Sequence, residues 1–214
     1  MTHMPYYPMM LTLAGRRCVI VGGGNVAARK IRYLIASGAE VTVVSPTLTP
    51  ELRRLVQEGN VVHLEREYAC GDTEGALLVF ALTDCAGVNE RVAADARRDG
   101  ALVNLTHAPE LSDFANPGVL QQGAVQVAVS TGGASPTLTR LLMHKLSILM
   151  DEGLAELAEH LLQARHEAQS SFIDAKARHQ VLRQYADRCW HAHELGEPLP
   201  VWSTWIQDFN SSHR

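Results

Sequence analysis

An α/β fold is predicted, with a parallel sheet wrapped by helices in the first half of the chain and a helical part after it. Three observations predict it. Short apolar runs of strand length recur at 18–21, 41–44, 61–64, 77–82 and 102–105. Stretches with helical spacing lie between several of them and stop at glycines. Gly22-Gly23-Gly24 closes the first run and opens the first helical stretch.

Each element has its own signal. The run 18–21 is apolar up to Gly22, as a buried strand is. In 26–37, Val26, Lys30 and Leu34 fall one turn apart, and Gly38 sits where a helix stops. The β-branched run 41–44 closes at Ser45-Pro46. Thr49-Pro50-Glu51 reads as a helix start, with a capping residue, a proline at the first position and then an acid. That helix ends near Gly59. A third strand spans 61–64. A fourth, 77–82, is apolar throughout and therefore central. A helix over 89–99 ends at Gly100, and 102–105 is a fifth strand. The order β-α-β-α-β, then β-α-β, gives a Rossmann-like parallel sheet with helices on both faces.

The pattern then changes. Pro109, Pro117, Gly118 and Gly123 make 107–123 a loop-rich passage, and 124–129 alternates as one more strand. Residues 130–136 form a loop of small residues. From Thr137 to about Cys189 the chain reads as helical, with breaks near Gly153 and Ser170-Ser171. Leu154, Leu157, Ala158, Leu161 and Leu162 share one helix face. The other face is too polar for this part to stand alone, so it packs on the first domain or on a second subunit. From Gly196 onward, two prolines and several aromatics predict an irregular tail.

At 46% hydrophobic and 20% charged residues, the 214-residue composition is that of a globular protein able to build a core. A net charge of -4 argues against a general nucleic-acid binder. No apolar run reaches the length of a membrane span, and the first residues lack the basic start and apolar stretch of a secretory signal. Cys18, Cys70, Cys85 and Cys189 are scattered without a C-x-x-C pair, which reads as free thiols in a cytoplasmic protein.

Gly22, Gly24 and Ala27 fill the special positions of G-x-G-x-x-A. The first allows the tight turn, the second lets the backbone approach a pyrophosphate, and the third keeps helix and strand close. The helix N-terminus offers free N–H groups to phosphate. A dinucleotide and redox chemistry are therefore the leading reading. The second strand ends in Ser45-Pro46-Thr47 without the acid that often holds the ribose, which by itself leaves NAD against NADP open. Arg53 and Arg54 read as a solvated helix face in preference to a 2′-phosphate clamp.

A longer series of motifs runs in order. It includes 15–24 (Gly-Arg-Arg-Cys-Val-Ile-Val-Gly-Gly-Gly), Val26-Ala27-Ala28-Arg29-Lys30, 38–46, and Ala81-Leu82-Thr83-Asp84 with Asn89. It continues through Val103-Asn104, Pro109-Glu110-Leu111-Ser112-Asp113-Phe114 with Pro117, and 127–136. The series closely resembles the precorrin-2 dehydrogenase family, the dehydrogenase/ferrochelatase module of siroheme synthase, over about residues 5–150. The resemblance implies an NAD-binding Rossmann-like domain at 1–113, a dimerisation segment with the Ser/Thr/Gly loop at 114–150, and a helical C-terminal domain and tail at 151–214. It implies oxidation of precorrin-2 to sirohydrochlorin with NAD+ by a cytoplasmic homodimer. The alternatives are a bifunctional dehydrogenase and ferrochelatase, or a catalytically decayed protein that still binds NAD and tetrapyrrole.

Cofactor contacts fall at Gly22 and Gly24 from the glycine spacing, and the resemblance adds Asn25, Val26, Pro46 and Thr47, with Ser45 beside them; Thr83 and Asp84 end the fourth strand, at the sheet edge where ligands bind in such folds. Asp84 orients the nicotinamide ribose or caps the next helix. Family members carry an aspartate, with the acid–base role, where this chain has His107 in Asn104-Leu105-Thr106-His107-Ala108-Pro109. Histidine can still exchange a proton near neutral pH. Asp113 is a second candidate for the catalytic proton if it faces the cleft, or it caps a turn. Ser130, Thr131 and Gly132 border the tetrapyrrole cleft in the family, or form a plain strand–helix connection capped by Ser135-Pro136. Precorrin-2 carries eight carboxylates, so Arg140 and Lys145 are candidate partners for them, with solvated surface the alternative. Cys189-Trp190-His191-Ala192-His193 fits no zinc spacing and reads as a helix end.

Overall fold

The computed structural model describes residues 6–171 and 174–212. The chain divides into two compact units, one running through Asn116 and the other from Pro117 onward.

The first unit is a five-stranded, wholly parallel sheet. Its strands are β1 (Arg17–Val21), β2 (Glu40–Val44), β3 (Val61–Leu64), β4 (Leu78–Ala81) and β5 (Leu102–Leu105), in the order β3-β2-β1-β4-β5. The connecting helices are α1 (Asn25–Ala36), α2 (Pro50–Gln57) and α3 (Ala86–Arg98). Burial explains why β1 is apolar at successive positions. Cys18 and Ile20 pack with Ala27, Ile31, Leu34 and Leu52 of α1 and α2, while Val19 and Val21 pack with Val92, Ala93 and Ala96 of α3. Both faces are covered, so no alternation is needed. Ile31 is fully buried, worth about 1.5–3 kcal/mol of transfer free energy.

The start of α2 is as the Thr49-Pro50-Glu51 text predicts. Thr49 Oγ1 accepts from the Leu52 amide, and Pro50 stands in the first turn. The start of α3 differs from expectation. It begins at Ala86, three residues before Asn89, after Cys85, whose side chain makes no capping bond. No signature residue marks that start, and buried Asn89 sits within the first turn, bonded to the strand end instead.

In the second unit, the passage expected as loop holds a strand. β6 (Gly118–Gln122) pairs antiparallel with β7 (Val125–Val129), joined by Gly123-Ala124 with Gly123 at φ 55°. Glycine at the first central position is the II′ hairpin arrangement. β6 lacks an apolar run because its packing comes from α4 (Pro136–Ser147) and α5 (Glu152–Ser171). A side chain at Gly118 would meet Met143 Sδ, and one at Gly123 would meet Ala155. The chain continues through α6 (Ala175–Leu195) and α7 (Trp202–Ser212).

The irregular tail expected after Gly196 is corrected by α7. Trp202 is buried beside Leu157, Ala164, Ala168, Val181, Tyr185 and Cys189. Tyr185 Oη donates to the Pro200 carbonyl at 2.5 Å, and its ring meets Trp202 edge-on. The prolines thus turn the chain so that its aromatics close this core. Cys189, in the segment that invited a metal reading, is buried against Tyr185, and burial raises its thiol above the usual range. All four cysteines are unpaired. No helix among the described residues is long and apolar enough to cross a membrane.

Candidate functional site

The glycine turn lies at the carboxyl edge of the sheet, and its three glycines do different things. Gly22 has φ +120°, and a Cβ there would lie 2.7 Å from the Leu82 carbonyl oxygen. A Cβ on Gly23 would stand 2.1 Å from the Thr47 carbonyl oxygen, so the middle position is as constrained as the first. Around Gly24 there is open space. Gly24 precedes α1 as its cap residue, and no side chain satisfies the first-turn amides. Asn25 and Val26 are exposed beside it. A glycine backbone with room in front and uncapped amides behind is the seat a pyrophosphate requires, so the turn fits a dinucleotide.

The β2–α2 loop packs on this turn. The Thr49 amide donates to the Gly23 carbonyl at 3.0 Å, and the Gly22 amide to Val44 at 2.9 Å. Ser45 is buried, and its hydroxyl donates inward to the Thr47 carbonyl at 2.7 Å. Pro46 and Thr47 are exposed. Arg53 donates from Nε and Nη2 to the Leu48 carbonyl, each at 3.1 Å, and Arg54 pairs with Glu58 at 3.4 Å.

At the end of β4, Asn89 joins two strand ends. Its Oδ1 accepts from the Thr83 amide (3.1 Å) and hydroxyl (2.7 Å), and its Nδ2 donates to the Thr83 carbonyl at 2.8 Å. Those contacts fix the amide's orientation. The second Nδ2 hydrogen therefore points at His107 Nδ1, 3.2 Å away. In this arrangement His107 Nδ1 is an acceptor, and the neutral ring carries its proton on Nε2. Asn89 is a positioning residue that sequence reasoning missed. Asn89 stands in the motif series beside Thr83-Asp84, but the sequence does not show that it reaches His107. Asp84 is exposed and caps nothing, because the residue before α3 is Cys85.

Asp113 is engaged on both oxygens. Oδ2 accepts from the Val103 amide at 2.9 Å, while the Asp113 amide donates back to Val103. Oδ1 accepts from Arg97 at 3.2 Å. Ser112 Oγ accepts from the Leu105 amide at 2.9 Å, and Asn104 donates to the Phe114 carbonyl at 2.9 Å. The Ser112-Asp113-Phe114 stretch covers the open edge of β5, as an unpaired edge strand needs. This engagement favours edge capping over acid–base work for Asp113.

The Ser130-Thr131-Gly132 loop belongs to the second unit. Ser130 Oγ accepts from the Gly132 amide at 3.2 Å, and Thr131 Oγ1 meets Thr139 Oγ1 at 2.9 Å. Ser135 Oγ caps α4 by accepting from Leu138 at 3.1 Å. Arg140 and Lys145 are exposed on α4. Among the described residues, no group of three or more His, Cys, Asp or Glu side chains could hold a metal ion.

The model of a putative NAD(P)-binding family matches residues 9–118, and that of the sirohaem biosynthesis protein central segment matches 122–142. The siroheme synthase of Chromobacterium violaceum is 40% identical over 175 residues, 82% of this chain and 37% of its own length. That of Nitrosomonas eutropha is 38% identical over 79% of this chain and 36% of its own. The chain thus spans little more than a third of those relatives. A solved structure of SirC, a precorrin-2 dehydrogenase, superposes with a TM-score of 0.79 at 26% identity, covering 96% of this chain and 100% of that one. With the glycine turn and the two-unit architecture, these matches show that the chain belongs to the NAD(P)-binding family of siroheme biosynthesis that includes precorrin-2 dehydrogenase.

Proposed function

We propose that this chain oxidises precorrin-2 to sirohydrochlorin with NAD+. The observation that carries the reading is the glycine turn. It leaves open space at Gly24 before an uncapped helix, in a chain similar along nearly its whole length to a precorrin-2 dehydrogenase. Gly22, Gly24, Asn25 and Val26 hold the pyrophosphate, and Pro46 and Thr47 the adenosine side. Ser45 acts indirectly, by holding Thr47. Arg54 is paired with Glu58, whereas Arg53 donates only to the neutral Leu48 carbonyl, so the choice of NAD rests on the likeness to the family. Asp84, exposed three residues past β4, takes the nicotinamide ribose in this reading.

Held by the glycine turn, NAD+ would supply the acceptor for the hydride that leaves the substrate. His107 presents Nε2–H, because Asn89 holds Nδ1, and so it donates a hydrogen bond to the substrate. The accompanying proton leaves to water, since Asp113 is taken up by Arg97 and Val103. Ser130, Thr131, Gly132 and Arg140 supply hydroxyl, amide and guanidinium donors suited to carboxylates. The protein works as a cytoplasmic homodimer. Leu138, Leu141 and Leu142 of α4 are exposed and α4 buries no residue within one chain, so a second copy is the occupant of that face. Sedimentation gives the mass of two chains if this holds.

The deciding experiment incubates the purified protein with precorrin-2 and NAD+ and follows the absorbance spectrum. Sirohydrochlorin and NADH appear together in equal amounts. No sirohydrochlorin at any enzyme concentration rejects the reading.

A further inference from the structure

Lys30 lies in the second turn of α1, and its ammonium stands 5.1 Å above the centre of the Phe80 ring. Phe114 meets Phe80 edge-on, with centroids 5.4 Å apart. Phe80 and Asn104 are register partners on adjacent parallel strands, so both present their side chains to the α1 side of the sheet. α1 and α2 pack on that face and α3 on the other. Toward β5 the α1 side is incompletely filled. A recess of about 230 Å³ remains, lined by Lys30, Asn104, Thr106, Ser112, Phe114 and Asn116 among others.

None of the residues lining the recess is acidic. Among the described residues no carboxylate pairs with Lys30, and neighbouring Arg29 adds a like charge. Burial and that repulsion hold the ammonium below the usual lysine range. Withdrawing a cation from water is costly unless an opposite charge meets it. The Phe80 face offsets only part of that cost. Thr106 and Asn116 line the same hollow, as does Asn104, whose amide already donates one bond to the Phe114 carbonyl.

We infer that this recess is a carboxylate subsite, in which Lys30 holds one acidic side arm of the substrate. The inference rests on the tetrapyrrole reading above and names a contact within it. Size favours an arm over a whole ligand, since pockets that enclose a drug-sized molecule run to about 300–1,000 Å³. An acetate or propionate arm fits the volume and brings the missing negative charge. The subsite would fix the orientation of the macrocycle without touching the carbon that loses hydride.

Lys30→Met keeps an unbranched stem over Phe80 and removes the charge. Sirohydrochlorin binding, read by absorbance titration, weakens about 10- to 100-fold, the worth of one charge-assisted hydrogen bond. KM for precorrin-2 rises by the same factor, kcat stays within about twofold, and NAD+ affinity is unchanged. Lys30→Arg recovers most of the tetrapyrrole affinity. The inference is overturned if Lys30→Met binds sirohydrochlorin as the unaltered protein does. It is also overturned if both ligands weaken in step with a fall in melting temperature, which marks a packing role. If the unaltered protein neither binds sirohydrochlorin nor turns over precorrin-2, the functional reading falls and takes the subsite with it. That failure is seen before any substitution is made.

Discussion

Two strand–loop–helix connections in this molecule are built of small residues, and they end in opposite states. After β1, Gly22-Gly23-Gly24 leads into α1 with no side chain on the first-turn amides. After β7, Ser130 to Ser135 leads into α4 with its own hydroxyls turned inward. Ser135 caps Leu138, Thr131 meets Thr139, and Ser130 meets Gly132. Both helices begin with a positive dipole end. Only the first leaves it unsatisfied. The lesson is that a small-residue loop is ligand-ready when its chain withholds caps, and self-contained when it supplies them.

Four substitutions press on that contrast. The largest effect is expected from Gly23→Ala, whose methyl would stand 2.1 Å from the Thr47 carbonyl oxygen. Overpacking of this kind costs about 1–3 kcal/mol. The turn must shift, so calorimetry should detect no NAD+ binding and the melting temperature should fall. Next comes Gly24→Asp, which makes the first loop resemble the second. The site has room and an ordinary φ of -85°, so the fold survives. The carboxylate caps α1 and repels phosphate, weakening NAD+ by about 100-fold, or roughly 2.7 kcal/mol. NAD+ bound as tightly as before would break the comparison.

Asn89→Ala strips the Thr83 amide and carbonyl of their partner, at about 1–3 kcal/mol in denaturant unfolding. Nitrogen-15 spectra should then show His107 leaving its Nε2–H form for a mixture of tautomers. The smallest effect belongs to Ser135→Ala, about 0.5–2 kcal/mol from the lost cap, with NAD+ affinity untouched. A change in NAD+ binding there would mean the second loop is not self-contained.

The sheet unit was readable because its signals are local. The five apolar runs fall within one residue of β1 to β5 at either end, and Thr49-Pro50 stands at the start of α2. What could not be read depends on distant partners. β6 is held by β7 and by side chains of α4 and α5, and α7 is helical with Trp202 and Trp205 packed on the Tyr185 core. In the candidate site, the glycine roles could be assigned from their spacing, though the demand on Gly23 comes from Thr47, a helix and a strand further along the chain. Asp113 read as a possible proton acceptor because nothing in its neighbours reveals the Val103 and Arg97 bonds. Lys30 looked like one residue of a helix stripe, since only the folded sheet brings Phe80 and Asn104 to it.

The Ser45–Thr47–Gly23 stack has a consequence for altering cofactor choice. An acid introduced at position 45 to grip ribose hydroxyls would remove the hydroxyl that now holds the Thr47 carbonyl. That carbonyl lies where any side chain on Gly23 would be, so its movement is passed to the proposed phosphate seat. Adenosine preference and pyrophosphate grip are therefore not separately tunable here. A route to a new cofactor must change the loop and the turn together, and single substitutions along it pass through weak binders.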